Sequence, residues 1–200
     1  MGQLMGHREQ LLEGAKRCLL EKGFARTTAR DIVAASNTNL GSIGYHFGTK
    51  DALMNAALVQ ATEDWGNELG QALAANVNPD DTPLERFESV WTKVIANFEE
   101  HRQLWVAQFE IFSHLQHSPE MRPYFSAAQE TARRGLATLL QLIDPNSDEH
   151  SVRSVGSFAL AMLTGVIAQW LVDPEKAPNG KDLADAIRAV AGVDAVLPSP

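Results

Sequence analysis

Apolar residues recur along this chain every three to four positions, the period of an α-helix with one buried face. Leu11, Leu12, Ala15, Cys18 and Leu19 mark a first helix over about 8–21, which Gly23 ends in a left-handed conformation and Phe24 closes. Thr28 opens a T-x-x-D capping box with Asp31, which predicts a short second helix carrying Ile32 and Val33 to about residue 35. Ser36-Asn37-Thr38-Asn39 is a turn cluster in which Asn37 tolerates a positive φ. Asn39 caps a third helix to about residue 46, with Ile43 and Phe47 facing inward four positions apart. Thr49 caps a long fourth helix through Leu53, Ala57, Trp65 and Leu69 to about residue 75.

The loop NVNPDDTP follows, and then Leu84, Phe87, Trp91, Val94 and Phe98 form a buried seam on alternating three- and four-residue steps. Further helices are predicted over about 102–116 and 119–143, then the uncharged helix to about 172 and a last one near 182–191, separated by HSPEMRP, DPNSDEH and DPEKAPNGK. Residues 193–200 form a frayed tail. No alternating strand or hairpin signal occurs, so the fold class is all-α with about nine helices. The stretch 155–172 carries no charge and just reaches the length of a membrane span. Its Gly156, Ser157, Thr164, Gly165 and Gln169, and the acidic flank of Asp173 and Glu175, instead favour a helix buried on two faces. One face would lie on its own core and the other on a partner chain.

Composition narrows the class. Of 200 residues, 44% are hydrophobic and 21% charged, which excludes a disordered chain. A lone cysteine, Cys18, excludes an internal disulfide and fits a reducing cytoplasm, and no signal peptide is discernible at the start. The net charge of −8 is unevenly spread. Residues 1–50 hold seven basic against four acidic side chains, whereas 51–200 hold ten against twenty-one. A basic end on an acidic body confines any polyanion contact to the first fifty residues.

Inside that basic segment, the second helix, the turn and the third helix form a helix-turn-helix over about 28–47. The second helix of such a motif enters the major groove and needs small or polar outward residues, here Asn39, Ser42, Tyr45 and His46. The stretch TTARDIVAASNTNLGSIGYHFGTKDAL, with Gly23-Phe24 ahead of it, resembles the DNA-binding domain of TetR/AcrR-type transcriptional regulators. Carried over by position, the resemblance implies that Thr28, Tyr45, His46 and Lys50 hold the phosphate backbone. It places Asn39, Leu40, Ser42 and Gly44 on the base-facing side, and Arg30 within reach of a base edge. Leu40 and Gly44 depart from the family pattern, in which a polar residue and a tyrosine are common there.

The resemblance implies division into a DNA-binding domain at 1–50, an effector-binding and dimerisation domain at 51–192, and the tail. The implied function is a cytoplasmic homodimeric regulator, a repressor that leaves a palindromic double-stranded DNA operator when a small molecule binds. The sequence supplies aromatic walls for such a pocket, and the effector-site candidates are Trp91, Trp105, Gln108, Phe109, Glu110, Phe112, His114, Tyr124 and Met162. Glu110, His114 and His117 share a helix face, open to a pocket role, a structural ion pair or a metal site. Neither a cofactor nor a resident metal is expected. Ala161, Gly165 and Ala168 are the small residues through which two copies of the uncharged helix would approach as a dimer. No nucleophile elbow, phosphate loop or HExxH motif is present, so an enzyme is not expected. The alternative that stays open is a DNA-binding protein without a small-molecule effector.

Overall fold

The computed structural model describes residues 6–75, 78, 80–117, 122–140, 142–144 and 146–192, with only the helical backbone for 113–117. Among these residues the chain is all-α, in nine helices with no strand. They are α1 (His7–Lys22), α2 (Ala29–Ser36), α3 (Leu40–Phe47), α4 (Lys50–Ala74), α5 (Pro83–Ala96), α6 (Arg102–His117), α7 (Arg122–Leu139), α8 (Glu149–Val172) and α9 (Gly180–Val190).

The helices fall into two compact units. The first holds residues 1–66 and 101–123, so that α6 and most of α4 join the three N-terminal helices. Its core is built from Leu11, Leu19, Phe24, Ile32, Leu53, Met54 and Leu104, each almost fully buried. Helix α1 packs along α2 and touches α3 and α6. The α1–α2 approach is close enough that a Cβ at Gly14 would lie 2.6 Å from Ser36 Cβ and 2.9 Å from the Ser36 backbone nitrogen. Lys16 ties α1 to α4 through an ion pair with Asp64 at 2.6 Å. Burial pulls the Lys16 ammonium down, but its carboxylate partners Asp64 and Glu13 outweigh that and hold it above the ordinary lysine value.

The local signals in the sequence are realised closely. The Thr28–Asp31 capping box forms in both directions, Asn37 takes φ 53°, and Asn39 accepts the Ser42 N–H to cap α3. Thr49 accepts the Ala52 N–H at 3.0 Å at the head of α4. Gly23 differs: its φ of 85° and ψ of 167° lie outside the left-handed helical region. That extended positive-φ shape, which glycine adopts without a Cβ clash, still lets the Gly23 N–H reach the Leu19 carbonyl at 2.9 Å.

The second unit holds residues 67–100 and 124–200. Helix α5 buries Phe87, Val90, Trp91 and Val94 and packs against α9, with Phe98 edge-on to Trp170 of α8 at 5.7 Å between ring centres. Helix α7 ends at Leu139, short of the predicted residue 143, and its predicted start at 119 lies outside the described residues. Helix α8 is long and apolar enough to cross a membrane by length and composition, and a third of its most apolar window (33%) is buried within the protein. It buries Gly156, Ala159, Leu163, Val166, Ile167 and Trp170 on its inner face. The expectation of a helix resting on its own core holds for that face.

Candidate nucleic-acid interface

The interface is built on two eight-residue helices and the turn between them. Helix α2 exists because the Thr28 hydroxyl accepts the Asp31 N–H at 3.2 Å while Asp31 accepts the Thr28 N–H at 2.9 Å. The same carboxylate pairs with Lys22 of α1 at 2.5 Å. Lys22, then the Thr28 hydroxyl and N–H, hold the Asp31 carboxyl well below the usual carboxylate range. Helix α2 stops at Asn37, whose left-handed backbone returns its N–H to the Val33 carbonyl and starts the turn.

Helix α3 begins where the Asn39 side chain accepts the Ser42 N–H at 3.1 Å and ends where the Gly48 N–H bonds the Gly44 carbonyl at 3.1 Å. Ile43 anchors it in the core at 5% exposure. Outward it presents Leu40 at 52% and Tyr45 at 85% exposure, with Gly44 facing open space between them. The outer face of the helix thus carries a large apolar side chain and a phenol with the room between them left by Gly44. Tyr45 stands edge-on to His46, ring centres 4.8 Å apart, so the two rings support each other on the free face.

The nine residues singled out for DNA contact separate by what already holds them. Arg30, Asn39, Leu40, Gly44 and Tyr45 are exposed, His46 is partly so, and among the described residues no hydrogen bond or ion pair holds Arg30. Thr28 is exposed, but its hydroxyl is engaged in the cap, donating to Asp31 at 2.7 Å. Ser42 lies on the inner side of α3 at 9% exposure, because its position in the first turn points the short side chain toward the core. Lys50 spans the junction: its Nζ donates to the Thr27 carbonyl at 3.3 Å, pairs with Asp51 at 3.0 Å and lies 5.8 Å from the centre of the Phe24 ring. An ammonium fixed there keeps the positive charge at the edge of the motif.

Two basic residues the sequence reading passed over also act on this motif. Arg17 of α1 donates to the Ala35 carbonyl at the end of α2. Arg8, in the first turn of α1, places its guanidinium 5.1 Å from the centre of the Phe47 ring. Phe47 is only half-buried, where the spacing predicts an inward residue, and the Arg8 guanidinium lies over its ring. No pattern along the chain marks either contact, since both depend on how α1 crosses the other two helices.

The effector candidates divide between the two units. In the first, Trp105 is buried edge-on against Trp65 with ring centres 4.7 Å apart, and Phe109 and Phe112 are 6.0 Å apart on the same helix. Gln108 is half-buried and Phe112 is 48% exposed. Glu110, considered for a pocket, turns to the DNA-reading end: its Oε2 accepts the Ala25 N–H at 3.2 Å, in the turn after α1. In the second unit Trp91 is fully buried beside Phe87 and its Nε1 has no hydrogen-bond partner among the described residues, Tyr124 is 42% exposed, and Met162 is half-buried. The side chains of His114 and His117 lie outside the described residues. Cys18 is buried, and that burial pushes its thiol up, away from reactive thiolate. On α8, Ala161 is exposed, Gly165 and Ala168 are half-buried, and a Cβ at Gly165 would meet open space.

Comparisons with known proteins converge on one family. Residues 11–57 match the model for bacterial regulatory proteins of the tetR family, and 82–193 match the tetracyclin repressor-like C-terminal domain. A repressor of Mycobacterium tuberculosis, HTH-type transcriptional repressor Rv1474c, is 40% identical over 60 residues, 30% of this chain and 32% of that protein. HTH-type transcriptional regulator BetI of Burkholderia thailandensis is 28% identical over 122 residues, 58% of this chain and 57% of that protein. The matched region thus spans between a third and three-fifths of these curated relatives. Among solved structures, the multidrug binding protein EbrR complexed with ethidium is 23% identical with a TM-score of 0.63, over 92% of this chain and 98% of that one. EbrR complexed with imidazole is 24% identical with a TM-score of 0.61 over 98% of both chains, which speaks to the fold. With the helix-turn-helix at one end and the C-terminal model covering more than half of its length, this chain belongs to the tetR family of transcriptional regulators.

Proposed function

We propose that this protein is a sequence-specific, DNA-binding repressor that holds a palindromic operator as a homodimer and releases it when a small molecule binds. Residues 1–50 read DNA, and residues 51–192 bind the effector and pair with a second copy. The observation that carries the reading is the outer face of α3, where Leu40, Gly44 and Tyr45 stand exposed within a segment rich in basic side chains. Leu40 offers an apolar contact to a thymine methyl, and Gly44 leaves room for the groove floor. Tyr45, His46 and Lys50 supply the phosphate contacts that set register, with Thr28 contributing from the head of α2. Arg30 is free to fork onto a guanine edge.

The repressor sense rests on the named relatives, and the small-molecule sense on EbrR, whose structures hold ethidium, proflavin and imidazole. The pairing surface rests on α8. Phe158, Ala161, Gly165, Ala168 and Val172 follow three- and four-residue steps on the side away from its buried residues, with Phe158 49% and Val172 87% exposed. A seam of that spacing with small central residues lets two helices approach closely. In this reading the protein acts in the cytoplasm and is a regulator, not an enzyme.

The test is selection of binding sites from a random duplex pool with the full-length protein at two salt concentrations. The expected result is an inverted repeat with half-sites about one DNA turn apart, roughly 34–36 Å or a multiple, and affinity that falls steeply with salt. A pool that never converges overturns the reading.

A further inference from the structure

We infer that Arg8 is a positioning residue for DNA recognition: it clamps the C-terminal turn of the reading helix α3 through the ring of Phe47. Helix α3 has eight residues, two of them the glycines Gly41 and Gly44, so it has little stability of its own. Its N-terminal half is fixed by the Asn39 cap and by Ile43 in the core. Its C-terminal half is capped by the Gly48 N–H on the Gly44 carbonyl but has no buried side chain among the described residues: Gly44 and Tyr45 are exposed, and Gly48 takes a φ of 78° with open space around it. Phe47 is what remains, and the Arg8 guanidinium lies 5.1 Å from its ring centre.

The charge placement argues for the same role. A cation in the first turn of a helix opposes that helix's dipole, so Arg8 works against α1. Its guanidinium lies over the side chain of the last residue of α3, and a cation near the C-terminal end of a helix is favoured by the partial negative charge of the last carbonyls. Removing the charge should therefore tighten the start of α1 while loosening the end of α3. A residue that merely supports the fold would loosen both.

The experiment compares Arg8→Gln, Arg8→Lys, Phe47→Leu and the double variant in the full-length protein. Amide hydrogen exchange is read without DNA, and affinity is read on a selected duplex and on a random one. In Arg8→Gln, exchange of the amides at 45–48 should quicken roughly two- to five-fold, the equilibrium factor of an exposed cation–π contact, while α1 is unchanged or slower. Arg8→Lys should restore most of it, and Arg8→Gln and Phe47→Leu should be non-additive, the double variant losing less than the sum of the two. The preference for selected over random duplex should fall by the same factor. Unchanged exchange at 45–48, with equal losses on both duplexes and a salt slope lower by about 0.9, would make Arg8 a phosphate contact and overturn the clamp. If Phe47→Leu does not fold, Arg8→Gln against Arg8→Lys decides through exchange. The exchange measurement stands whether or not site selection converges, so failure of the clamp and failure of DNA reading are told apart.

Discussion

Asp31 joins three tasks at the head of α2, since it caps Thr28, receives the Thr28 hydroxyl and pairs with Lys22 of α1. Its carboxyl is held well below the usual range by Lys22 first and Thr28 next. A carboxyl depressed in the folded state stabilises the fold at any pH above the ordinary aspartate value of about 3.9. That contribution is lost as pH falls through the lower folded-state value. Asp31→Asn should therefore melt below the parent at pH 7, and the two melting curves should converge as pH drops beneath about 4. A gap that stays constant from pH 7 to pH 3 would show that the carboxylate's charge is not what matters. At the groove, Arg30 and Lys50 separate by the same reasoning about partners. Arg30 has no partner to give up, and Lys50 is tethered to Thr27 and Asp51. Lys50→Ala should weaken binding to selected and random duplexes alike and lower the salt slope by about 0.9. Arg30→Ala should also relax the preference at one base position, a discrimination of roughly 1–3 kcal/mol in competition binding.

At the scale of elements, glycines that look equivalent in the sequence act in opposite ways. Gly14 faces α2 so closely that a methyl group would meet the Ser36 backbone nitrogen at 2.9 Å, and that nitrogen cannot move without shifting the helix-turn-helix. Gly66, inside α4, has nothing within 4 Å of its would-be Cβ. Gly14→Ala should destabilise despite better helix propensity, because overpacking costs roughly 1–3 kcal/mol. Gly66→Ala should stabilise by about 0.4–1 kcal/mol. Thermal melts of the two variants give shifts of opposite sign if the packing is as described. The contrast also marks what could be read from the chain. The Thr28–Asp31 capping box, the positive φ of Asn37 and the heads of α3 and α4 were legible because their partners lie three or four residues away. The inward side of Ser42, the half-covered Phe47 and the turn of Glu110 toward Ala25 were not. Each depends on how helices cross, and Glu110 and Ala25 are 85 positions apart. The same limit applies to the aromatics of 83–172: periodicity identified Phe87, Trp91 and Phe98 as a buried seam, but not that Trp105 packs on Trp65 in the other unit.

At the scale of the whole molecule, the reading surface on α3 and the seam on α8 make sense together only if two copies bind one site. A single helix-turn-helix reads too few base pairs to pick an operator from a genome of competing sites. In the proposed dimer, two copies joined through Ala161, Gly165 and Ala168 would make the second half-site an intramolecular event, raising overall affinity by about 10²–10⁴ without any new base contact. An effector acts on the same linkage, since it can empty the operator only by binding more tightly to the spacing that does not fit it. A charge at the centre of the seam tests this directly. Ala161 is exposed on the outer face of α8, so Ala161→Glu leaves the core untouched while setting two like charges against each other in a paired assembly. The variant should keep its helical circular dichroism, sediment as a monomer at micromolar concentration, and lose about 10²–10⁴-fold in affinity for the two-half-site operator. Its affinity for an isolated half-site should match that of the parent, since α3 is unaltered. A variant that still sediments as a dimer and holds the full operator would move the pairing surface off α8. One that is monomeric yet binds the operator undiminished would separate DNA reading from pairing altogether.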